Sequence, residues 1–512
     1  MLIKTYASAV HGITAITILI EVHRAEGIGY HLVGLPDSSI KESQQRIISA
    51  LESIGARWPG KRIVINMAPA DIRKEGSAYD LPLAVALLGV QEKFPPEALE
   101  GFLIMGELSL DGGLQPVRGI LPIAVQARKE GFKSLIVPAA NAEEAAVVKG
   151  LKVYAMKHLR EVVGFFDGSY SVDPVETDIQ KLFRQQYKGY EADFSDVRGQ
   201  EYVKRALEVA AAGSHNVLMI GPPGSGKTML AQRLPSILPP LTMEEALETT
   251  KIHSVAGKMG SGISLITLRP FRAPHHTISD VALVGGGSYP QPGEISLAHN
   301  GVLFLDELPE FKRTVLEVLR QPLEDRVIRI SRTRFSVEYP AGFMLVAAMN
   351  PCPCGYFNHP TKPCTCKTGA VQKYLSRISG PLLDRIDLHI EVIPVSFEQM
   401  AHIPVAESSN RVRERVIRAR MIQEQRFKQL PGVFCNAQMT TRLLKKYVRL
   451  DDSCRHILKQ AMERLGLTAR AYDRILKVSR TIADLDASPE IRVSDVAEAV
   501  NYRSLDREIW GG

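Results

Sequence analysis

Long apolar runs and a secretory signal are both missing from this 512-residue chain. No segment reaches the roughly 18 uninterrupted apolar residues that a membrane-spanning helix needs. The strongly apolar run from Leu81 to Val90 is shorter and is bounded by polar residues, which predicts a buried helix. Charged residues follow the first apolar stretch, and the small-residue pattern at which a signal peptide is cleaved is absent there. We therefore expect a cytoplasmic protein that does not contact a membrane.

Internal repeats and low-complexity segments are absent as well, and the composition is ordinary, with 45% apolar and 23% charged residues. These values exclude a largely disordered chain, a collagen-like chain and a small disulfide scaffold. The length predicts about three domains. The net charge of +7 is unevenly distributed, because residues 411–480 contain 18 Lys and Arg against 6 Asp and Glu.

The hydrophobic pattern changes along the chain. Alternating β-rich and helical stretches predict an α/β domain at residues 1–166, and a polar stretch at 167–196 is typical of a linker. Residues 197–395 show the order strand, glycine-rich loop, helix and strand, which predicts a second α/β domain. Residues 396–512 have a helical pattern.

The strongest chemical signal fits the pattern G-x-x-x-x-G-K-[ST]. It consists of Gly221, Pro222, Pro223, Gly224, Ser225, Gly226, Lys227 and Thr228. An apolar strand precedes it and a helix follows, which is the context of a phosphate-binding loop rather than a chance glycine-rich turn. Lys227 would reach the β- and γ-phosphates of ATP, and Thr228 would place its hydroxyl on Mg²⁺.

A second motif, which ends in two acidic residues, lies 80 residues further along the chain. The apolar strand at 301–305 ends in Asp306 and Glu307. Asp306 suits coordination of Mg²⁺, and Glu307 suits polarisation of the water that attacks the γ-phosphate. The alternative is an acidic pair on a solvated loop.

Cysteine is scarce but clustered. Four of the six cysteines fall within fifteen residues, namely Cys352, Cys354, Cys364 and Cys366. Two close pairs of thiolates separated by a loop predict a closed, structural Zn²⁺ site, with His359 as a spare ligand. Free thiols or redox disulfides are the alternatives.

These motifs together resemble those of the AAA+ ATPases: GPPGSGKT at 221–228, VLFLDELPE at 302–310 and AAMNP at 347–351. The long insertion between the first two is similar to that of the magnesium-chelatase ATPase subunit and the MCM-type helicases. Nearly the whole chain is similar to the ComM/YifB family of bacterial magnesium-chelatase-like ATPases. The resemblance implies an AAA+ core with a zinc-binding insert at 352–366 and a C-terminal helical lid.

Further site residues follow from this resemblance. Asn350 is similar to the sensor-1 residue that orients the attacking water. Arg385 is similar to an arginine finger offered to the neighbouring subunit, which would require a hexameric ring. An ordinary ion pair of Arg385 with Asp384 or Asp387 is the alternative.

The resemblance also places residues around the base and the lid. Val197 and Gln200 lie where the family packs adenine. Arg470 is similar to the sensor-2 arginine of the lid, and Arg474, one helical turn further on, is the competing assignment.

Arginines in two segments suit contact with DNA phosphates. Residues 327–339 are predicted as a β-hairpin with Arg332 and Arg334 near its turn. In the helicase relatives a hairpin at this position contacts DNA inside the ring. Arg272 lies in an insert that faces the pore in family members. A solvated hairpin turn is the alternative for Arg332 and Arg334.

Residues 63–165 resemble the Lon-type peptidase fold. Ala78 takes the position of the nucleophilic serine, Leu121 takes that of the lysine, and Ser77 is one residue out of place. A Ser–Lys peptidase needs both groups. We therefore expect a catalytically inactive domain that serves in oligomerisation or docking.

The resemblance implies a hexameric, Mg-ATP-driven DNA motor with helicase activity. It would promote branch migration on single-stranded and branched DNA and aid integration of incoming strands during natural transformation. A recombinase or competence proteins are the expected partners besides DNA. The alternatives are a protein-remodelling ATPase of the magnesium-chelatase kind and a DNA-bound scaffold with weak ATPase activity. The absence of a D-x-S-x-S pattern weighs against the chelatase-like alternative.

Overall fold

The chain forms two compact units that interleave along the sequence. The computed structural model describes residues 1–185, 192–260, 262–287, 290–332, 335–359, 361–394 and 406–503. The first unit consists of Met1–Gln185 and Met243–Thr267, and the second of Gln186–Thr242 and Leu268–Gly512. Each unit has α/β architecture and its own hydrophobic core.

A seven-stranded mixed sheet forms the centre of the first unit. The strands of this unit are β1 (Leu2–His11), β2 (Thr14–Ala25), β3 (Tyr30–Val33), β4 (Arg62–Ala68), β5 (Phe102–Ile104), β6 (Glu107–Leu108), β7 (Leu114–Gln115), β8 (Ser134–Pro138) and β9 (Lys152–Met156). The sheet order is β3-β4-β2-β1-β5-β8-β9, and β6 and β7 form a separate ladder. The outer pairs β3–β4 and β8–β9 are parallel, whereas β1–β2 is an antiparallel hairpin.

Helices cover this sheet. They are α1 (Ser38–Ser53), α2 (Asp80–Val90), α3 (Ile120–Lys129), α4 (Ala139–Ala145), α5 (Leu159–Asp167) and α6 (Ile179–Gln185). Asp37 caps α1 by accepting a hydrogen bond of 2.9 Å from the N–H of Ile40. All eleven residues of α2 are buried, as the apolar run Leu81–Val90 predicts. The charged first residue, Asp80, pairs with Arg46 at 2.7 Å.

A segment from the middle of the sequence completes the first unit. This segment, Met243–Thr267, contains helix α9 (Met243–Val255). Two helices of the second unit precede it in the sequence, α7 (Glu201–Gly213) and α8 (Lys227–Arg233). The N–H of Gly119 donates to the carbonyl of Ser254 at 3.2 Å, at the start of α3. The range 197–395 predicted for the second domain therefore differs from the structure, because Met243–Thr267 packs as part of the first unit.

The predicted linker also differs in part from the structure. Within 167–196 the described residues include α6 and a short 3₁₀ helix at Phe194–Asp196. The division between the two units falls at Gln185 and Gln186, inside this stretch. The predicted boundary at 395–396 lies outside the described residues.

The second unit is built on a parallel sheet. Its strands are β10 (Val217–Ile220), β11 (Phe271–Arg272), β14 (Val302–Leu305), β17 (Met344–Met349) and β18 (Leu388–Glu391). The order is β11-β14-β17-β10-β18, so β17 lies between β10 and β14. Two short ladders stand apart from it, β12 (Gly285–Gly286) with β13 (Gln291–Pro292) and β15 (Val327–Arg332) with β16 (Phe335–Pro340).

The remaining helices belong to the second unit. Around the sheet these are α10 (Asp280–Val284), α11 (Glu294–Leu297), α12 (Arg313–Glu317), α13 (Arg320–Asp325), α14 (Ala370–Leu375) and α15 (Gly380–Leu383). The C-terminal region contains α16 (Ser409–Phe427), α17 (Thr441–Tyr447), α18 (Asp452–Leu465), α19 (Ala469–Leu485) and α20 (Val493–Asn501). This helical region shares one hydrophobic core with the sheet. Across the described residues, every helix is too short or too polar to cross a membrane.

Candidate functional site

The phosphate-binding loop connects the buried strand β10 to helix α8. Gly224 and Gly226 have φ angles of 77° and 90°, which favour glycine. A Cβ atom on Gly221 would overlap the carbonyl oxygen of Val392. The glycines therefore allow the loop to fold tightly at the N-terminus of α8, where backbone N–H groups can bind phosphate.

Lys227 lies inside this loop at the beginning of α8. Its Nζ atom donates to the carbonyls of Gly221 at 2.8 Å and Pro222 at 2.9 Å, and to Oδ1 of Asn350 at 3.3 Å. Burial lowers the pKa of Lys227, and the carboxylate of Asp306 opposes that shift. The structure thus places the predicted sensor-1 residue next to the predicted phosphate-binding lysine.

The two predicted magnesium ligands also meet. The hydroxyl of Thr228 donates to Oδ2 of Asp306 at 2.7 Å. Thr228 follows β10, Asp306 follows β14, and Asn350 follows the strand β17 between them. Because the strands are parallel, their carboxyl ends meet at one edge of the sheet, where α/β proteins bind ligands. A hydroxyl and a carboxylate oxygen are suitable ligands for Mg²⁺.

Glu307 follows Asp306 with a φ angle of 52°, and its side chain is 57% exposed. Oε2 of Glu307 lies 3.4 Å from Nδ1 of His276. His276 comes from the loop after β11, the strand next to β14. The motifs in the sequence do not indicate a role for His276. The feature that points to His276 is its position after β11, since β11 pairs with β14 and Glu307 follows β14.

Val197 and Gln200 lie before helix α7. The side chain of Val197 is buried in the core of the second unit. Gln200 donates from Nε2 to the carbonyl of Ile393 at 2.5 Å and to that of Ser225 at 3.4 Å. Gln200 therefore links the start of α7 to the phosphate-binding loop, next to the region predicted to pack adenine.

Arg385 is not free in this structure. Its side chain is 8% exposed and pairs with Glu324 at 2.6 Å, and it donates to the carbonyl of Pro381 at 2.5 Å. The alternative prediction for Arg385 is an ion pair with Asp384 or Asp387, not with Glu324. Asp384 and Asp387 instead pair with arginines of α19. Arg385 would have to leave Glu324 before it could contact a nucleotide.

The two candidate sensor-2 arginines differ in their surroundings. Arg470 is 61% exposed and lies 3.7 Å from Asp384, whereas Arg474 is mostly buried and pairs with Asp387 at 3.0 Å. Burial alone would raise the pKa of Asp387, but Arg474 and His215 outweigh it and hold that pKa well below its usual range. Arg474 is thus committed to a buried ion pair, which favours Arg470 for contact with a nucleotide.

The four clustered cysteines bring their Sγ atoms within 4.8 Å of one another. The Sγ atom of Cys352 lies 3.3 Å from that of Cys354 and 3.8 Å from that of Cys364. Four sulfurs bound tetrahedrally at about 2.3 Å from one Zn²⁺ ion would be about 3.8 Å apart. The cluster, completed by Cys366, therefore fits zinc. His359 is outside this group, because its ring accepts N–H groups from its own loop.

The arginines predicted to contact DNA are only partly described. Arg272 forms a bidentate ion pair with Glu294, at 2.6 and 2.8 Å. Its guanidinium is therefore occupied, contrary to the prediction of a residue open to phosphate. Arg332 ends β15, but its side chain lies outside the described residues, as does the whole of Arg334.

Several arginines of the basic C-terminal region form ion pairs within the protein. Arg426 pairs with Asp484 at 2.5 Å, and Arg480 pairs with the same carboxylate at 3.0 Å. Arg415 pairs with Glu208 at 2.5 Å. The pairs formed by Arg426 and Arg415 join two helices each, and the Arg480–Asp484 pair lies within α19. The charge count of residues 411–480 therefore overstates the charge that is available to a partner.

The three residues discussed for the peptidase-like segment lie in the first unit. Leu121 is fully buried in α3. Ser77 donates its hydroxyl hydrogen to Oε2 of Glu107. Ala78 and Leu121, the residues predicted to replace the serine and the lysine, have no nucleophilic or basic group.

Three family models match successive parts of the chain. The model for magnesium chelatase, subunit ChlI, matches residues 193–400. A second model, for subunit ChlI of Mg-chelatase, matches residues 20–141, and the model for its C-terminal part matches residues 406–503. The first of these covers the phosphate-binding loop, the acidic pair and the cysteine cluster.

The chain is also similar to bacterial proteins along almost its full length. It is 44% identical to the uncharacterised protein YifB of Salmonella typhimurium over 98% of this chain and 97% of that protein. Competence protein ComM of Haemophilus influenzae shows the same identity and coverage. Lon protease 2 of Bacillus subtilis is 31% identical over 28% of this chain and 27% of its own length. The chain therefore belongs to the magnesium-chelatase-like AAA+ family that includes YifB and ComM.

Proposed function

We propose that this protein is a Mg²⁺-dependent ATPase that assembles into a hexameric ring and moves along DNA. The observation that carries the proposal is the contact of four side chains at one edge of the parallel sheet. Lys227 contacts Asn350, and Thr228 contacts Asp306. Family membership supports ATP hydrolysis by these residues.

Each residue has a role in this proposal. Lys227 binds the β- and γ-phosphates and neutralises their charge. Thr228 and Asp306 hold the Mg²⁺ ion, which supplies further positive charge to the phosphate oxygens. Glu307 accepts a proton from the attacking water, and Asn350 orients that water. Arg470 contacts the nucleotide from the helical lid.

Arg385 gives the proposal its oligomeric form. In the proposed ring, Arg385 leaves Glu324 and reaches the γ-phosphate bound to the neighbouring subunit, where its guanidinium stabilises the charge of the transition state. Hydrolysis then requires assembly, and its rate depends on protein concentration. Sedimentation with a slowly hydrolysed ATP analogue tests for the hexamer.

The four cysteines hold a zinc ion in this proposal. The ion supplies a structural crosslink and takes no part in hydrolysis, because four thiolates leave no open coordination position. Elemental analysis of protein purified under reducing conditions should give about one zinc per chain.

DNA is the proposed substrate of the motor. The name of the competence protein from Haemophilus influenzae supports a role in DNA uptake and integration. We infer branch migration and helicase activity on joint molecules that contain single-stranded and branched DNA, in the cytoplasm, with a recombinase or competence proteins as partners. Arg332 and Arg334 of the hairpin are the proposed phosphate contacts.

A strand-exchange assay tests this function. A labelled four-way junction is incubated with protein, Mg²⁺ and ATP, beside Lys227→Ala and the control Lys129→Ala, an exposed lysine of α3. We expect ATP-dependent exchange by the unaltered protein and the control, and none by Lys227→Ala. Salt-sensitive binding of the junction without exchange would instead indicate a DNA-bound scaffold.

A protein-remodelling ATPase is the second candidate, and the three magnesium-chelatase models favour it. The two candidates differ in what stimulates hydrolysis. If added DNA leaves the ATPase rate unchanged while the protein is fully assembled, the DNA motor is rejected and the remodelling function remains.

A further inference from the structure

The cysteine cluster lies directly against the phosphate-binding loop. Gly355 follows Cys354 with a φ angle of 85°. A Cβ atom on Gly355 would lie 2.5 Å from Cδ and 3.0 Å from Cγ of Pro223. Real Cβ atoms do not approach a ring so closely, and a proline ring has little freedom to move away. The backbone of Gly355 therefore packs against the phosphate-binding loop at a point where no side chain fits.

The same cysteine loop is attached to Asn350 at its other end. Cys352 is buried and comes two residues after Asn350, which directly follows β17. The carbonyl of Cys352 accepts a hydrogen bond from the N–H of Gly355 at 3.0 Å. Asn350 in turn accepts from Lys227. The phosphate-binding loop and Asn350 are both expected to face the γ-phosphate. Both are thus joined to one short turn, residues 352–355.

Regular secondary structure does not support this loop. Between Met349 and Ala370, the described residues form neither a helix nor a strand. The four Sγ atoms meet within 4.8 Å of one another and bring the two ends of the loop together. One ion bound by all four would fix residues 352–366 as a single body, whereas without it the loop gains conformational freedom.

We propose that metal bound by the four cysteines sets the shape of the phosphate-binding loop through Gly355, so that metal occupancy controls nucleotide affinity. The inference rests on the proposed ATPase function and adds a positioning role for Gly355 and a regulatory role for the cysteine cluster. It predicts an effect on binding of nucleotide, before any hydrolysis occurs.

The test compares two glycines with nearly the same backbone conformation. Gly369 has a φ angle of 79°, but a Cβ atom there would meet open space. Gly355→Ala and Gly369→Ala therefore carry similar backbone strain, and only the first overlaps Pro223. We expect Gly355→Ala to retain its zinc and to bind a fluorescent ATP analogue about tenfold more weakly. We expect Gly369→Ala to retain both zinc and affinity.

A double variant and a metal-removal experiment complete the test. Pro223→Ala removes the atoms that the new Cβ would meet, so adding Gly355→Ala to Pro223→Ala should cost much less affinity than adding it to the unaltered protein. A zinc-selective chelator in excess Mg²⁺ should weaken binding of the analogue by about tenfold, and added zinc should restore it. This arm uses the unaltered chain and does not depend on the folding of a variant.

Two results would overturn the inference. One is full nucleotide affinity in Gly355→Ala, and the other is full affinity after the zinc has been removed. Neither result bears on the proposed function, which is judged by ATP hydrolysis and DNA strand exchange of the unaltered protein. Conversely, a protein that binds nucleotide in a zinc-dependent way but never responds to DNA would reject the DNA motor and leave this inference standing.

Discussion

The residues proposed to bind nucleotide and Arg385 are held in different ways. Lys227 contacts Asn350 at 3.3 Å and Thr228 contacts Asp306 at 2.7 Å, at the carboxyl-end edge of three adjacent strands. Arg385 is instead turned into an ion pair with Glu324. The groups proposed to bind Mg-ATP are therefore assembled within one chain, whereas the arginine proposed to act on a neighbouring subunit is held in an ion pair. This difference predicts that binding and hydrolysis respond separately to substitution.

The largest expected effect comes from Arg385→Ala. Because an arginine finger stabilises the charge of the transition state, its loss should lower the hydrolysis rate by about 10³-fold and leave nucleotide binding unchanged. Steady-state hydrolysis and equilibrium binding of an ATP analogue measure the two quantities. The control is Arg329→Ala, which lines the same cavity of about 440 Å³ as Arg385 but is 57% exposed. Hydrolysis by Arg385→Ala at the unaltered rate would remove Arg385 from the reaction.

Glu307→Gln should have the next largest effect. The amide keeps the shape of the side chain but accepts no proton, so hydrolysis should fall about 10²-fold while ATP remains bound. Single-turnover hydrolysis with radiolabelled ATP separates these steps. Glu310→Gln is the matched control, because Glu310 lies three residues away and pairs with Arg377. Near-normal turnover in Glu307→Gln would exclude it as the base.

A smaller effect is expected from His276→Ala. His276 contacts Glu307 and would orient its carboxylate, so its loss should lower kcat several-fold without changing the affinity for ATP. His275→Ala is a close control, since the two rings stack with centroids 4.1 Å apart and the ring of His275 bonds to Thr277. Equal kcat values for the two variants would show that the contact with Glu307 is incidental.

The smallest effect should follow Glu324→Gln. The carboxylate of Glu324 is half exposed, so its ion pair with Arg385 is worth about 1 kcal/mol or less. Releasing Arg385 should raise hydrolysis about twofold at protein concentrations where assembly is incomplete. Glu317→Gln, which breaks the pair with Arg320 in the same cavity, is the control. A fall in hydrolysis would show that Glu324 supports Arg385 instead of withholding it.

The nucleotide site was accessible to sequence reasoning because its signals are local. The phosphate-binding loop is recognisable from a strand, a glycine-rich loop and a helix within a few turns of chain. Asp306 and Asn350 each follow an apolar strand, and parallel strands bring such positions to one edge. The cysteine cluster was accessible for the same reason, since all its ligands fall within fifteen residues.

The remaining features depend on partners that are distant in sequence. Arg385 pairs with Glu324 and Arg272 with Glu294, and nothing near either arginine indicates these partners. Charge counting therefore predicted available cations where the fold uses them internally. The docking of Met243–Thr267 in the first unit was missed because a helical pattern identifies a helix but does not identify the surface that it covers.

The chain path through Met243–Thr267 has a practical consequence. The polypeptide crosses between the two units three times, so the amino-terminal unit is not a module attached by a single tether. A shortened protein that begins after residue 185 would lack α3. Helix α9 would then lose the hydrogen bond that the carbonyl of Ser254 accepts from Gly119 at the start of α3. The orphaned helix would expose apolar surface and favour aggregation. Inactivity of such a truncated protein would then reflect misfolding, and point substitutions are the sounder way to dissect the enzyme.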